Sequence, residues 1–485
     1  MTKILRSIED LADELISDIL FFLVPEEARS PTSSPVNSHA HSPQLNGRPA
    51  HIVGEKSDLD RFRLVCKRFY RISTPRKFTS FQLRFSRQGF QKLEELMQRQ
   101  LACHVKHFTY MVRPFYQKSG WSQISDDHFP VAKTHIARLR DQIDILEGNH
   151  DRELLKKALF AFSSLRQVKL IRLQDQADEQ LLDLIRDRIL EETMALHWEP
   201  ACARAASNLG IALLSSDCTS VRFLGPHTDP RATVRLLQTP SATLSAIGSR
   251  LACLEVTFLS KTDLTRHMGD LSHVFHDVLL AAKNLESIHV GFSTAVPVGL
   301  TLDQIFHRIQ WKRLRKLSLE GWNLTSNETI ALIRRHRQPL REVRLEKIFL
   351  RDGSYWRDIL SVLRNEMDDI ESIYLRDIDY VRDDAAHGFN LNGNYDHGHG
   401  NGDGAGAGSS GVHQQILHST VLSINHLGPA FPLPGLPQRV SMPEAISKLS
   451  VDELGDNGAR VTYEKMQLWQ AWVLSSPRKI PRRRT

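Results

Sequence analysis

The sequence is short of the features that mark several protein classes. Only five cysteines occur in 485 residues, Cys66, Cys103, Cys202, Cys218 and Cys253, far apart and with no CxxC pair. An odd, scattered set gives neither a disulfide framework nor a thiolate zinc site, and it points to an intracellular chain, cytoplasmic or nuclear. No run of about 18 apolar residues exists to cross a bilayer. Glu9, Asp10, Asp13 and Glu14 run through the first apolar stretch, which argues against a secretory signal. No membrane contact is expected. Catalytic signatures are missing as well: there is no GxxxxGK[ST], HExxH or GxSxG. Gly406, Gly408 and Gly411 spell GxGxxG, but in low-complexity sequence with no strand before them, a chance match. The chain is therefore expected to be a non-enzyme that needs no cofactor.

Charge of one sign is also lacking. Lysine and arginine total 63 against 56 acids, a net +7. Spread over this length, that excess is too thin for a surface that tracks phosphates, so nucleic acid is not an expected partner. Part of it gathers at residues 477–485, PRKIPRRRT, either a solvated end or a nuclear-import or anionic-surface element.

What is present is a globular composition, 41% apolar, broken in two places. Residues 26–57 are rich in Ser, Pro and His, and residues 383–413 are dominated by Gly; neither buries enough apolar surface to repay ordering. Asp396, His397, His399, Asp403 and His413 crowd the second segment. Ordering a flexible loop around an ion is costly, so no metal site is assigned there.

The first ordered block reads as helix, with Ile8, Leu11, Leu15, Ile19 and Leu23 on one stripe. The stripe resumes after the Ser/Pro segment with Leu59, Phe62, Val65, Cys66 and Phe69, which fit one helical face. Two short amphipathic helices cannot shelter such stripes alone and call for each other and a partner.

A spacing L-x-x-L-x-L recurs further along. It appears as Leu165-Val168-Leu170, Leu251-Leu254-Val256, Leu285-Ile288-Val290, Leu314-Leu317-Leu319, Leu340-Val343-Leu345 and Ile370-Ile373-Leu375, with a weaker copy at Cys218-Val221-Phe223. Several copies continue to a further apolar residue, as at Leu324 and Leu350. The last two apolar positions of each unit alternate along a short strand and point inward. Helical patterns lie between, such as Leu181-Leu182-Ile185-Ile189-Leu190, Phe275-Val278-Leu279 and Thr329-Ile330-Ile333, the last preceded by a Thr325/Glu328 capping-box pair. The expected fold class is α/β: a helical hook, then an irregular leucine-rich solenoid. Its outward strand residues are Lys169, Arg222, Glu255, His289, Ser318, Arg344 and Tyr374, a mixed row suited to a protein surface.

The segments IEDLADELISDILFFLVPEE and DLDRFRLVCKRFYRIS resemble the F-box, and the closing LVCKRF is the specific part. Leu11, Glu14, Leu15, Ile19, Leu20, Leu23, Leu59, Leu64, Val65, Cys66, Lys67 and Phe69 match its pattern. Ala12 stands where the family usually has proline, and the insert separates segments that are normally nearly continuous. The array is similar to the leucine-rich repeats often found behind an F-box. The resemblance implies a substrate receptor whose hook docks to the Skp-type adaptor of a cullin-RING ubiquitin ligase, and whose array holds a protein target for ubiquitination. Leu11, Glu14, Leu15, Ile19, Leu20, Leu23, Leu59, Leu64, Val65, Cys66 and Phe69 are the expected adaptor contacts, each either facing the partner or packing within the hook. The rival is a stand-alone interaction scaffold. Expected segments are an F-box-like domain at 1–75, a helical linker at 76–158, the array at 159–382, the Gly-rich linker at 383–413, and a capping segment with basic tail at 414–485. In the last of these, Tyr463, Met466, Leu468, Trp469, Trp472 and Val473 form a broad apolar helix face, a cap on the array or a free peptide motif.

Overall fold

In the computed structural model, the described residues are 11–23, 58–117, 129–187, 196–218, 220–228, 239–260, 263–294, 297–381 and 446–476. The insert, the Gly-rich linker with its His/Asp cluster, the basic tail, Ile8 and the Ile189-Leu190 end of one helical pattern lie outside them, as does the side chain of Leu23. The fold is mixed α/β with extensive parallel pairing. It divides into two compact units, Met1–Val221 and Arg222–Thr485.

Unit 1 opens with helices α1 (Asp13–Leu23), α2 (Asp58–Arg63) and α3 (Lys67–Lys77). The second apolar stripe, expected on one helix, is broken in two. Helix α2 ends at Arg63 in a turn through Leu64 and Val65; Cys66 then takes an extended conformation (φ −155°, ψ 167°), and its sulfur accepts the amide of Phe69 at 3.4 Å, so it caps the next helix. There follow β1 (Ser80–Arg84), α4 (Arg87–Gln98), β2 (His107–Val112), β3 (Phe115–Tyr116), α5 (Phe129–Glu147), α6 (His150–Ala161), β4 (Gln167–Arg172), α7 (Gln176–Asp187), β5 (Leu196–His197) and α8 (Trp198–Leu214). Strands β1, β2 and β4 pair in parallel in that order. Residues 76–158 are thus not the helical linker expected. Phe78-Phe81-Leu83 and Val105-Phe108-Tyr110 keep the repeat spacing with aromatic residues in aliphatic places, and Phe108, Tyr110 and Leu83 are buried.

Unit 2 comprises β6 (Val221–Thr228), α9 (Ser241–Gly248), β7 (Leu251–Ser260), α10 (Thr265–Asp270), α11 (Ser272–Ala281), β8 (Ser287–Thr294), α12 (Leu302–Phe306), β9 (Lys316–Glu320), β10 (Asn323–Leu324), α13 (Ser326–Arg335), β11 (Glu342–Glu346), β12 (Phe349–Leu350), α14 (Trp356–Asn365), β13 (Ser372–Arg376) and β14 (Asp379–Tyr380). Strands β7, β8, β9, β11 and β13 are neighbours in chain order and pair in parallel. The short strands β10, β12 and β14 form a second parallel sheet, built from the extra apolar positions at Leu324 and Leu350 and from Tyr380.

Between the two sheets the chain turns through a left-handed residue at the same place in three successive repeats: Gly321 (φ +74°), Lys347 (φ +51°) and Asp377 (φ +50°). The next residue, Trp322, Ile348 or Ile378, is buried. A Cβ on Gly321 would stand 1.9 Å from the Phe292 carbonyl oxygen, so glycine is required there sterically as well as conformationally. The strand-end leucines and these residues form one continuous core. Its buried indoles are satisfied: Trp311 donates to the Leu279 carbonyl and Trp322 to that of Val290, both at 3.1 Å. Helix α13 begins with the reciprocal box read from sequence, Glu328 N to Thr325 Oγ1 at 3.2 Å and Thr325 N to Glu328 Oε2 at 2.9 Å.

The C-terminal helix Tyr463–Leu474 packs against β13 and α14 and buries Met466, Trp469, Trp472 and Val473, while Tyr463 stays exposed. Gln470 Oε1 accepts the Leu375 amide at 3.2 Å, giving a partner to an edge-strand donor. Arg364 of α14, itself buried, donates to the carbonyls of Ser447 and Trp472 and lies 4.4 Å over the Trp472 ring.

Candidate functional site

Two surfaces carry the residues singled out from sequence. The first is the hook. Ile16, Leu20, Leu59 and Phe69 form its closed interior, with Leu11, Phe62, Cys66 and Ile72 around them. Phe62 and Phe69 stack with centroids 4.3 Å apart and planes 6° from parallel. Asp13 clamps α1 onto α3, accepting from Arg68 at 2.7 Å and from Arg71 at 2.9 Å, and the Arg68 hydrogen bond holds its carboxyl below the usual range. Leu20, Leu59 and Phe69, expected among the adaptor contacts, face inward, and Leu11 and Cys66 are half-buried. Leu15 (51% exposed), Ile19 (39%), Leu64 (67%) and Val65 (61%) point outward, as do Glu14 and Lys67. The break at Leu64–Cys66 turns Val65 out, where a continuous helix would have placed it inside. Among the described residues, the hook is thus a closed kernel with four aliphatic side chains in water.

The second surface is the outward row of the strands. In unit 2, Glu255, His289, Ser318, Arg344 and Tyr374 are direct partners across successive strands. In unit 1, Lys169 pairs in register with Thr109, and Thr109 with Gln82. Arg222, on β6, borders β7, where burial pushes the Cys253 thiol up to about 11, assisted by Glu255 and opposed by Arg222.

All seven row residues are half-buried rather than free. His289 Nδ1 lies 2.7 Å from Ser318 Oγ, while its Nε2 lies 3.1 Å from Thr257 Oγ1 and 3.8 Å from Glu320 Oε2. Gly291 leaves this cluster its room, since a Cβ there would approach His289 Nε2 to 2.8 Å. Arg344 is committed to Glu346 at 2.7 Å and lies 4.6 Å over the Tyr374 ring. Glu346 also meets Arg376 at 3.5 Å, Glu320 meets Lys347 at 3.0 Å, and Lys316 meets Glu342 at 2.6 Å. Side by side, these charges neutralise one another.

Sequence reading passed over a buried polar cluster in unit 1. Asp178, fully buried, accepts from Arg138 at 2.6 Å and Tyr116 at 2.8 Å, and Asp175 is bridged by Arg113 and Arg138. Burial would raise the Asp178 carboxyl, but hydrogen bonds from His135 and Tyr116 and the Arg138 charge hold it low. Burial pushes the Tyr116 hydroxyl up to about 12. A cavity of about 210 Å³ opens beside Arg84, Arg113, Arg138 and Asp141. Two of its guanidiniums are spent on Asp175 and Asp178, so the cluster serves to pin α5 and α7 together. Its mark in the sequence is the D-x-x-D spacing of Asp175 and Asp178, whose carboxylates accept each other's backbone amides at the start of α7.

No protein-family model matches the chain, and no curated protein matches its sequence.

Proposed function

We propose that the chain is an F-box substrate-recognition adaptor: its hook docks to the Skp-type subunit of a cullin-RING ubiquitin ligase, and its leucine-rich solenoid holds a protein target for ubiquitination. The observation that carries the reading is the division of the hook. A kernel closed by Ile16, Leu20, Leu59 and Phe69 leaves Leu15, Ile19, Leu64 and Val65 uncovered on short elements. Apolar side chains held outward by a kernel that does not need them suit a surface completed by another subunit. The in-register outward row of unit 2 supports a recognition face over a catalytic one, because its charged groups neutralise one another. Catalysis, on this reading, belongs to other subunits, and the protein works in the cytoplasm or nucleus.

The test is affinity purification of the full chain and of Leu15→Asp/Val65→Asp. Recovery of a Skp-type adaptor and cullin with the unmodified chain, and their loss with the variant, is the expected result. Equal recovery from both would leave the rival reading, a ligase-independent repeat scaffold.

A further inference from the structure

Strands β7, β8, β9, β11 and β13 begin at or two residues after a buried apolar residue at a short corner: Leu251, Leu285, Leu314, Leu340 and Ile370. Backbone bonds hold successive corners side by side. Arg315 N donates to the Glu286 carbonyl at 2.7 Å, Arg341 N to that of Arg315 at 2.8 Å, and Glu371 N to that of Arg341 at 2.7 Å. Side chains of neighbouring corners therefore stand about one strand spacing, roughly 5 Å, apart.

Charge along this edge is uneven. Toward β13 it is cancelled: Arg337 meets Asp368 at 3.3 Å, and Arg341 meets Asp369 at 3.2 Å. The corners before β8 and β9 differ. Lys283, Lys312, Arg313 and Arg315 are exposed, and among the described residues none has a carboxylate at ion-pair distance. Glu286 is the single acid in these two corners. Leu280, 53% exposed, stands three residues before Lys283 at the end of α11.

We infer that this corner edge, Lys283, Lys312, Arg313 and Arg315 with Leu280 beside them, docks an acidic segment of a protein partner. The inference rests on the proposed target-binding role of unit 2 and moves its electrostatic centre from the strand face to the corners. On the strand face an incoming carboxylate must displace one already bound to Arg344 or Lys347. At the corners the cations are uncompensated, and free charge steers association. An apolar anchor beside free cations fits a polypeptide carrying acids and an aliphatic residue. Stacking of bases would call for exposed aromatics at the edge, and Trp311, the one aromatic in these corners, is buried. A single leucine gives no apolar face to lie in a membrane.

The test uses the full chain and a labelled peptide of glutamate and leucine, with fluorescence anisotropy as the readout. Lys312→Glu/Arg313→Glu/Arg315→Glu should weaken binding at least about tenfold and flatten its salt dependence. The all-Gln counterpart, which introduces no new charge at the fold's surface, should fall between, and Arg344→Glu should leave affinity unchanged. Peptide affinity indifferent to both triple variants overturns the inference. So does cation-dependent binding of single-stranded DNA or phosphatidylserine vesicles that is tighter than that of the peptide. Adaptor recovery through the hook is measured on the same variants and is expected intact. Its retention alongside an unresponsive peptide sinks the corner edge alone, whereas its absence in the unmodified chain sinks the ligase reading alone.

Discussion

The hook makes a prediction in which two neighbouring kinds of leucine-class residue separate cleanly. Phe69 is almost fully buried and stacked on Phe62, so Phe69→Ala should cost about 3–5 kcal/mol in lost transfer and cavity energy. The kernel has few other members, Ile16, Leu20 and Leu59, and cannot absorb that loss. Helices α1 to α3 should then open while the strand repeats stay folded, seen as loss of amide hydrogen-exchange protection confined to the hook. Leu15 and Val65 stand outside the kernel cluster and are 51% and 61% exposed, so Leu15→Asp and Val65→Asp should change its stability by less than about 1 kcal/mol each. Binding should respond in the opposite sense. The exposed fractions of Leu15, Ile19, Leu64 and Val65 amount to about two whole aliphatic side chains, worth about 3–6 kcal/mol if a partner sheltered them fully. Replacing two of the four with carboxylates should remove about 2–3 kcal/mol or more, a weakening of about 30- to 150-fold. Calorimetric titration of a purified Skp-type adaptor into each variant reads this directly. If Leu15→Asp unprotected the hook as fully as Phe69→Ala, the division into kernel and outer face would be wrong. If the double variant bound the adaptor within about threefold of the unmodified chain, those side chains would not be the docking surface.

Two further outcomes test the packing of unit 2. His336 is buried with Nε2 accepting the Trp311 amide at 3.2 Å and Nδ1 3.0 Å from the Leu332 carbonyl, an arrangement for neutral imidazole; burial lowers its pKa to about 4. The unfolded chain therefore binds the proton first, and stability should fall by about 3 kcal/mol as pH drops from 6.5 to 4. Denaturant midpoints across that window check it, with His336→Gln expected to flatten the slope; an unchanged slope counts against it. Gly321→Ala, at φ +74° and facing the Phe292 carbonyl, should cost more than about 2 kcal/mol, while Lys347→Ala, at the same place one repeat on, should stay within about 1 kcal/mol. Melting of the two variants compares them, and equal losses would refute the steric account.

How far the sequence could be read follows from which physical constraints leave a local mark. The strands from β7 to β13 were legible because an inward strand position must be apolar at every second residue, and Leu317-Leu319 or Val343-Leu345 record that directly. Strands β1 and β2 obey the same rule with Phe81, Phe108 and Tyr110, so a pattern looked for in aliphatic residues missed them. The turn shared by three repeats was hidden differently. Its left-handed residue is glycine only at 321, where a carbonyl crowds it, and Lys347 and Asp377 accept the strain because their neighbours leave room for a side chain.

The hook's two faces were illegible for a backbone reason: a helix stripe has one inner side, but the turn at Leu64–Cys66 breaks the stripe and sends Val65 out. Outward placement of Arg344 followed from alternation alone, yet whether its charge is available depends on Glu346 two residues away and Tyr374 on the next strand. Alternation fixes direction and says nothing about pairing. For that reason the charge left free at the corners has no strand period to mark it. Unlike Arg337 and Arg341, Lys312, Arg313 and Arg315 have no aspartate on the neighbouring corner to pair with, and among the described residues the carboxylate of Glu286, beside Arg315, makes no ion pair with them.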